Sequence, residues 1–132
     1  MKKVLIIDDD MDVVDAMKIA LESVGYQVDY ANDGTEGLEK LLAVKPNIVI
    51  LDVMMSTETE GFNIAWDIRN PSPTNPYIEF KNIPILMISS VGQEKKMKFD
   101  PKTDQEFLPV NDFVEKPISP KALIEKVASL IG

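Results

Sequence analysis

The chain has 132 residues, 45% of them hydrophobic, which is enough for one domain with a single core. Fourteen basic residues against 22 acidic ones leave a net charge of −8, which repels a duplex phosphate backbone and argues against nucleic acid as a partner. The chain has no cysteine and no histidine, which excludes disulfides, thiolate chemistry, an imidazole base and an internal phosphohistidine, and fits a cytoplasmic protein.

After Met1-Lys2-Lys3 the apolar run Val4 to Ile7 stops at Asp8, short of the roughly 7–15 apolar residues of a signal peptide. No stretch approaches the roughly 18 apolar residues of a membrane span, so no membrane partner is expected. Residues 3–7 read instead as a strand covered on both faces. Val13, Met17, Ala20, Leu21 and Val24 then recur on one helical face, with Gly25 as its stop. Gln27 to Ala31 alternate about Val28 and Tyr30 as a second strand, and Asn32-Asp33-Gly34 is a turn. Leu38, Leu41 and Leu42 mark a helix that ends near Pro46, and a third strand occupies 47–51. Phe62, Ala65, Trp66 and Arg69, with Ile64 and Ile68, mark a third helix ending at Asn70-Pro71. Residues 71–82 carry Pro71, Pro73 and Pro76 without apolar periodicity and read as a long surface loop. A fourth strand spans 84–88. Pro101 and Pro109 forbid one long helix through 91–111, leaving room for a short one near 92–98. A short strand at 112–115 precedes Lys116-Pro117, and Leu123, Ile124, Val127, Leu130 and Ile131 give a closing amphipathic helix.

Five strands alternating with helices, joined by right-handed crossovers, predict a doubly wound α/β fold: an open parallel sheet with helices on both faces. Ligands of such sheets bind at the carboxyl ends of the strands. There the sequence places Asp8-Asp9, Asp52, Ser89 and Lys116, each directly after an apolar run. Two like charges about 4 Å apart repel by roughly 1–4 kcal/mol at effective dielectrics of 80 to 20, so three carboxylates call for a cation. Mg²⁺ suits them, because it prefers oxygen ligands and commonly joins carboxylates to phosphate. Without His or Cys, zinc and copper are poor alternatives. A carboxylate at Asp52 is placed to attack phosphorus and give an acyl phosphate, with the Ser89 hydroxyl and the Lys116 ammonium as donors to the phosphoryl oxygens. Simpler roles compete residue by residue. Asp10 reads as the cap of the first helix, Ser89 alone merely ends a strand, and Lys116 alone is a solvated lysine. One shared site explains all of them except Asp10.

Asp8-Asp9 after VLII, Asp52 in LDVMM, Ser89 in PILMISS and Lys116 in FVEKPI resemble, in order and spacing, the receiver domains of bacterial response regulators. The resemblance covers nearly the whole chain. It implies the flavodoxin-like strand order 2-1-3-4-5, which the residues alone do not give. It implies that Asp52 takes a phosphoryl group from a sensor histidine kinase or a phosphotransfer protein, and that Asp8, Asp9, Asp52 and the backbone carbonyl of Met54 hold Mg²⁺. Ser89 and Lys116 would read the phosphoryl group, and Phe113 would fill the family's aromatic position, acting by packing alone because it lacks a hydroxyl. Such a chain is a phosphoacceptor, not a turnover enzyme.

The sequence departs from the family at Ser56, where proline is usual, in the one-residue-longer segment from Asp52 to Gly61, and in the proline-rich 71–82 loop. The helix between the fourth and fifth strands would be short or irregular. The family's symmetric dimer through that helix and the fifth strand is therefore not expected, which leaves a monomer or weak dimer. Residues 1–132 would form a single receiver domain without an output domain, acting on a separate protein. Three alternatives remain. A degenerate receiver that docks partners without phosphorylation is opposed by the intact Asp52, Ser89 and Lys116. A small phosphatase lacks a general acid and a cap. A flavodoxin-like cofactor binder lacks a Ser/Thr/Gly-rich phosphate loop.

Overall fold

The apolar runs become one sheet because their residues face two cores in alternation. In the computed structural model, which describes residues 2–53, 60–89, 110–116 and 118–131, the strands are β1 (Lys3–Ile7), β2 (Gln27–Ala31), β3 (Ile48–Asp52), β4 (Ile85–Ser89) and β5 (Asp112–Glu115). All pair in parallel, in the order β2-β1-β3-β4-β5 that the resemblance implied. Leu5, Ile7, Val49, Leu51, Ile85, Met87 and Phe113 face one core. Val4, Ile6, Ile48, Ile50, Leu86, Ile88 and Val114 face the other. Burial on both faces is why these strands read as unbroken apolar stretches.

Among the described residues the helices are α1 (Met11–Glu22), α2 (Gly34–Val44), α3 (Glu60–Arg69) and α4 (Pro120–Ile131). Val14, Met17 and Leu21 of α1 and Leu123 and Val127 of α4 complete one core. Leu41 of α2 and Ile64, Ala65 and Ile68 of α3 complete the other. Asp10 caps α1 as expected: its side chain accepts hydrogen bonds from the backbone N–H groups of Asp12 (3.0 Å) and Val13 (3.4 Å). No helix of the described residues is long and apolar enough to cross a membrane.

Several details differ from the sequence reading. The buried stripe of α1 runs through Val14 rather than Val13, and Val24 lies beyond the helix end with half its surface in solvent. Trp66, counted with the apolar face of α3, points outward at 52% exposure. Asp33 caps α2 through the Glu36 N–H at 2.8 Å, so the expected turn is already the helix start. The 71–82 loop is not merely superficial. It holds a single 3-10 turn, Ile78–Phe80, that sends Phe80 into the core, and its Asn75 is buried. The short helix expected near 92–98, the departure at Ser56 and most of the expected altered dimer face lie outside the described residues.

Candidate functional site

The carboxyl ends of β1, β3, β4 and β5 converge on one rim. Asp8 follows β1, and its N–H still donates to the Ala31 carbonyl at 3.0 Å, which holds the residue in the line of the sheet. Its Oδ1 accepts the Asp10 N–H at 2.9 Å, and its carbonyl accepts from Asn32 Nδ2 at 3.3 Å. Asp52 is the last residue of β3, and Ser89 the last of β4. The Val53 N–H continues the β3–β4 pairing by donating to the Ile88 carbonyl at 3.0 Å. The Lys116 N–H continues the β4–β5 pairing by donating to the Ser89 carbonyl at 2.7 Å. Backbone pairing, not chance side-chain reach, therefore brings these groups together.

Lys116 Nζ stands 3.6 Å from Asp8 Oδ2 and 3.6 Å from Asp52 Oδ2. Asp8 and Ser89 are fully buried and Asp52 nearly so, whereas Asp9 is exposed. Asp8, Asp9 and Asp52 each offer a carboxylate oxygen, and these atoms lie within 4.8 Å of one another. Burial pushes the Asp8 carboxyl above the usual carboxylate range. The Asp10 N–H and the Lys116 charge act against that rise, while the Asp9 charge adds to it. Asp8 Oδ2 is buried and has no hydrogen-bond partner among the described residues; Lys116 approaches it only at ion-pair distance.

Three carboxylates against one ammonium leave two negative charges on the rim. A buried carboxylate oxygen without a hydrogen bond, inside an all-oxygen donor set, is what a small divalent cation would satisfy. The residues present therefore fit Mg²⁺, which Asp8, Asp9 and Asp52 would hold. The backbone carbonyl of Met54, expected as a further ligand, lies outside the described residues.

Beside this rim, a largely apolar groove of about 300 Å³ runs between α1 and the start of α4. Val13, Ala16, Met17, Ile118, Pro120 and Leu123 line it, together with Asp12 and the stem of Lys116. Phe113 is buried in the core on the α3 side of the sheet. Sequence reading missed Asn32, taken only as a turn residue, although its side chain holds the Asp8 backbone. It also missed Arg69, taken only as a helix-face residue, although its guanidinium binds across three segments.

The family model of the response regulator receiver domain matches residues 4–128. A probable transcriptional regulator, ycf27, of Cyanophora paradoxa is 34% identical over 130 residues, covering 98% of this chain and 48% of the relative. The DNA-binding dual master transcriptional regulator RpaA of Synechocystis is 31% identical over 133 residues, covering 99% of this chain and 49% of the relative. The chain thus spans about half the length of these curated relatives. The chemotaxis response regulator CheY4 of Vibrio cholerae superposes with a TM-score of 0.79 at 27% identity, over 98% of each chain. These relatives overturn one expectation. The net charge of −8 argues against nucleic acid as a partner, yet both of these relatives are transcriptional regulators by name and one is DNA-binding by name. The physical reason is one of scope: surface charge on a segment matching half of a relative says nothing about what the other half binds.

Proposed function

The chain belongs to the response regulator receiver domain family, and from that premise we propose that Asp52 is its phosphoacceptor, charged by a sensor histidine kinase or a histidine phosphotransfer protein. The observation that carries the proposal is the placement of Lys116 Nζ at 3.6 Å from both the Asp8 and the Asp52 carboxylates, with Asp9 beside them.

In the proposed reaction an Asp52 carboxylate oxygen attacks the phosphorus of a phosphohistidine. The P–N bond breaks, an O–P bond forms, and the imidazole leaves with the electron pair of the broken bond and takes up a proton. Bound Mg²⁺ would offset the carboxylate charge and draw electron density from the phosphoryl oxygens. Lys116 holds a positive charge beside the attacking carboxylate and is positioned to follow a phosphoryl oxygen once the acyl phosphate forms. Ser89, at the end of the neighbouring strand, is placed to donate its hydroxyl to another. Burial favours the protonated form of Asp8, and the Lys116 charge beside it opposes that effect.

The histidine donor docks, on this reading, against the apolar groove beside Lys116, which leads directly to the rim. The phosphorylated state is then read by an output component of a cytoplasmic two-component system. Phosphotransfer of this kind is stoichiometric, so the chain promotes its own charging without being a turnover enzyme. Intact mass after incubation with acetyl phosphate and Mg²⁺ tests the proposal. One phosphoryl adduct that requires Mg²⁺ and disappears in Asp52→Asn is expected. An adduct that persists undiminished in Asp52→Asn would refute the assignment.

A further inference from the structure

Helix α3 begins on the proposed acceptor and ends beside the entrance of β5. At its near end the Gly61 N–H donates to the Val53 carbonyl at 3.1 Å. A Cβ added at Gly61 would sit 2.1 Å from the Asp52 carbonyl oxygen and 2.9 Å from Val53 Cα. The helix start therefore rests on the backbone of the acceptor residue, with no side chain to cushion a shift. Ile64, Ala65 and Ile68 bury the body of the helix in the same core as Val53 and Phe113. Ten residues at about 1.5 Å each make it roughly 15 Å long.

The far end is fastened chiefly by Arg69, with Asn75 beside it. Arg69 Nη1 donates to the carbonyls of Lys81 (2.9 Å) and Ile83 (2.6 Å), and Nη2 donates to Asn111 Oδ1 (2.8 Å). Asn111 Oδ1 also accepts the Ile85 N–H at 2.8 Å, while the Asn111 N–H donates to the Ile85 carbonyl at 2.9 Å. Asn75 Nδ2 adds bonds to the carbonyls of Asn70 (2.9 Å) and Ile68 (3.4 Å). Hydrogen bonds from an ionised donor are about twice as strong as neutral ones, and close-packed cores shift between discrete arrangements instead of deforming smoothly. A shift of α3 at Gly61 must then break the Arg69 fan or move Asn111, two residues ahead of Phe113.

We infer that α3 is a strut coupling the Asp52 strand end to the entrance of β5, with Arg69 as the positioning residue that fixes its far end. The coupling is geometric, and only its meaning as a signalling route rests on Asp52 being the acceptor. Amide hydrogen exchange followed by NMR tests it in wild type, Gly61→Ala, Arg69→Lys and the double variant. Gly61→Ala is expected to speed exchange at Asn111 and Phe113 about tenfold while β2 amides hold their rates. The double variant should exchange there no faster than Arg69→Lys alone, because the severed strut no longer carries the displacement. Effects of the two substitutions that multiply, or a Gly61→Ala effect confined to residues 60–68, would overturn the inference. If Gly61→Ala does not fold, the acetyl phosphate comparison of wild type with Arg69→Lys decides the inference.

Acetyl phosphate separates the two claims. An adduct by intact mass that changes Phe113 exchange in wild type but not in Arg69→Lys supports the strut, and an equal change in both overturns it. Failure to form any adduct counts against the acceptor assignment, and the strut is then decided by the Gly61 comparison.

Discussion

Asp8 is the residue on which the electrostatics of the rim turn. Its folded-state pKa is raised, chiefly by burial, so the stability tied to its proton is present at low pH and lost as pH rises through the raised value. Ionisation of Asp8 without a metal therefore weakens the fold. Asp8→Asn should raise the melting temperature of metal-free protein at pH 7 by several degrees and flatten its decline above the ordinary carboxylate range. Mg²⁺ should stabilise wild type but not this variant; thermal melts across pH, with and without Mg²⁺, read both effects. Lys116 has the opposite role. It lies 3.6 Å from two buried carboxylates, and Lys116→Ala removes the described cation nearest to them. An unsatisfied buried charged group costs about 1–3 kcal/mol or more, so metal-free Lys116→Ala should lose at least that much in urea unfolding. Saturating Mg²⁺ should close part of the gap.

Among the elements, α2 shows how closely helices sit on this sheet. A Cβ at Gly37 would meet Ile7 Cδ1 at 2.5 Å, and Ile7 is almost wholly buried. Overpacking costs about 1–3 kcal/mol and helix propensity returns about 1 kcal/mol. Gly37→Ala should therefore destabilise the chain by about 1 kcal/mol, with partial recovery in the double variant carrying Ile7→Val, measured by denaturant unfolding. Elements of this kind were legible where local chemistry decided them. Each strand buried on both faces announced itself as an apolar run, and Asp10 announced the start of α1 by its type and place. The rim was legible for the same reason, since Asp8, Asp52, Ser89 and Lys116 each interrupt or follow such a run. Features decided by distant contacts were not legible. Trp66 fits the apolar spacing of α3 yet faces solvent, and Asn75 is an ordinary loop residue until its amide is seen closing the end of α3. Asn75→Ala should lower stability by about 1 kcal/mol, the cost of helix-end carbonyls losing this partner, measured by urea unfolding.

At the scale of the whole molecule, the parallel sheet is what makes the site. Five strands running in one direction bring residues separated by up to 108 positions, Asp8 and Lys116, to one edge. The same directionality puts Arg69 and Asn111 at the far edge, where α3 ties them to the rim. Net charge belongs to this scale too. At −8 the chain repels itself, so raising NaCl from about 10 to about 150 mM, where the Debye length falls to about 8 Å, should raise the metal-free melting temperature. The central claim is that Asp52 carries the phosphoryl group. Borohydride reduction of protein charged by acetyl phosphate and Mg²⁺ turns an aspartyl phosphate into homoserine, which tandem mass spectrometry locates by position. Homoserine at position 52 alone is the predicted result. Homoserine at position 8 or 9, with Asp52 intact, would contradict the account.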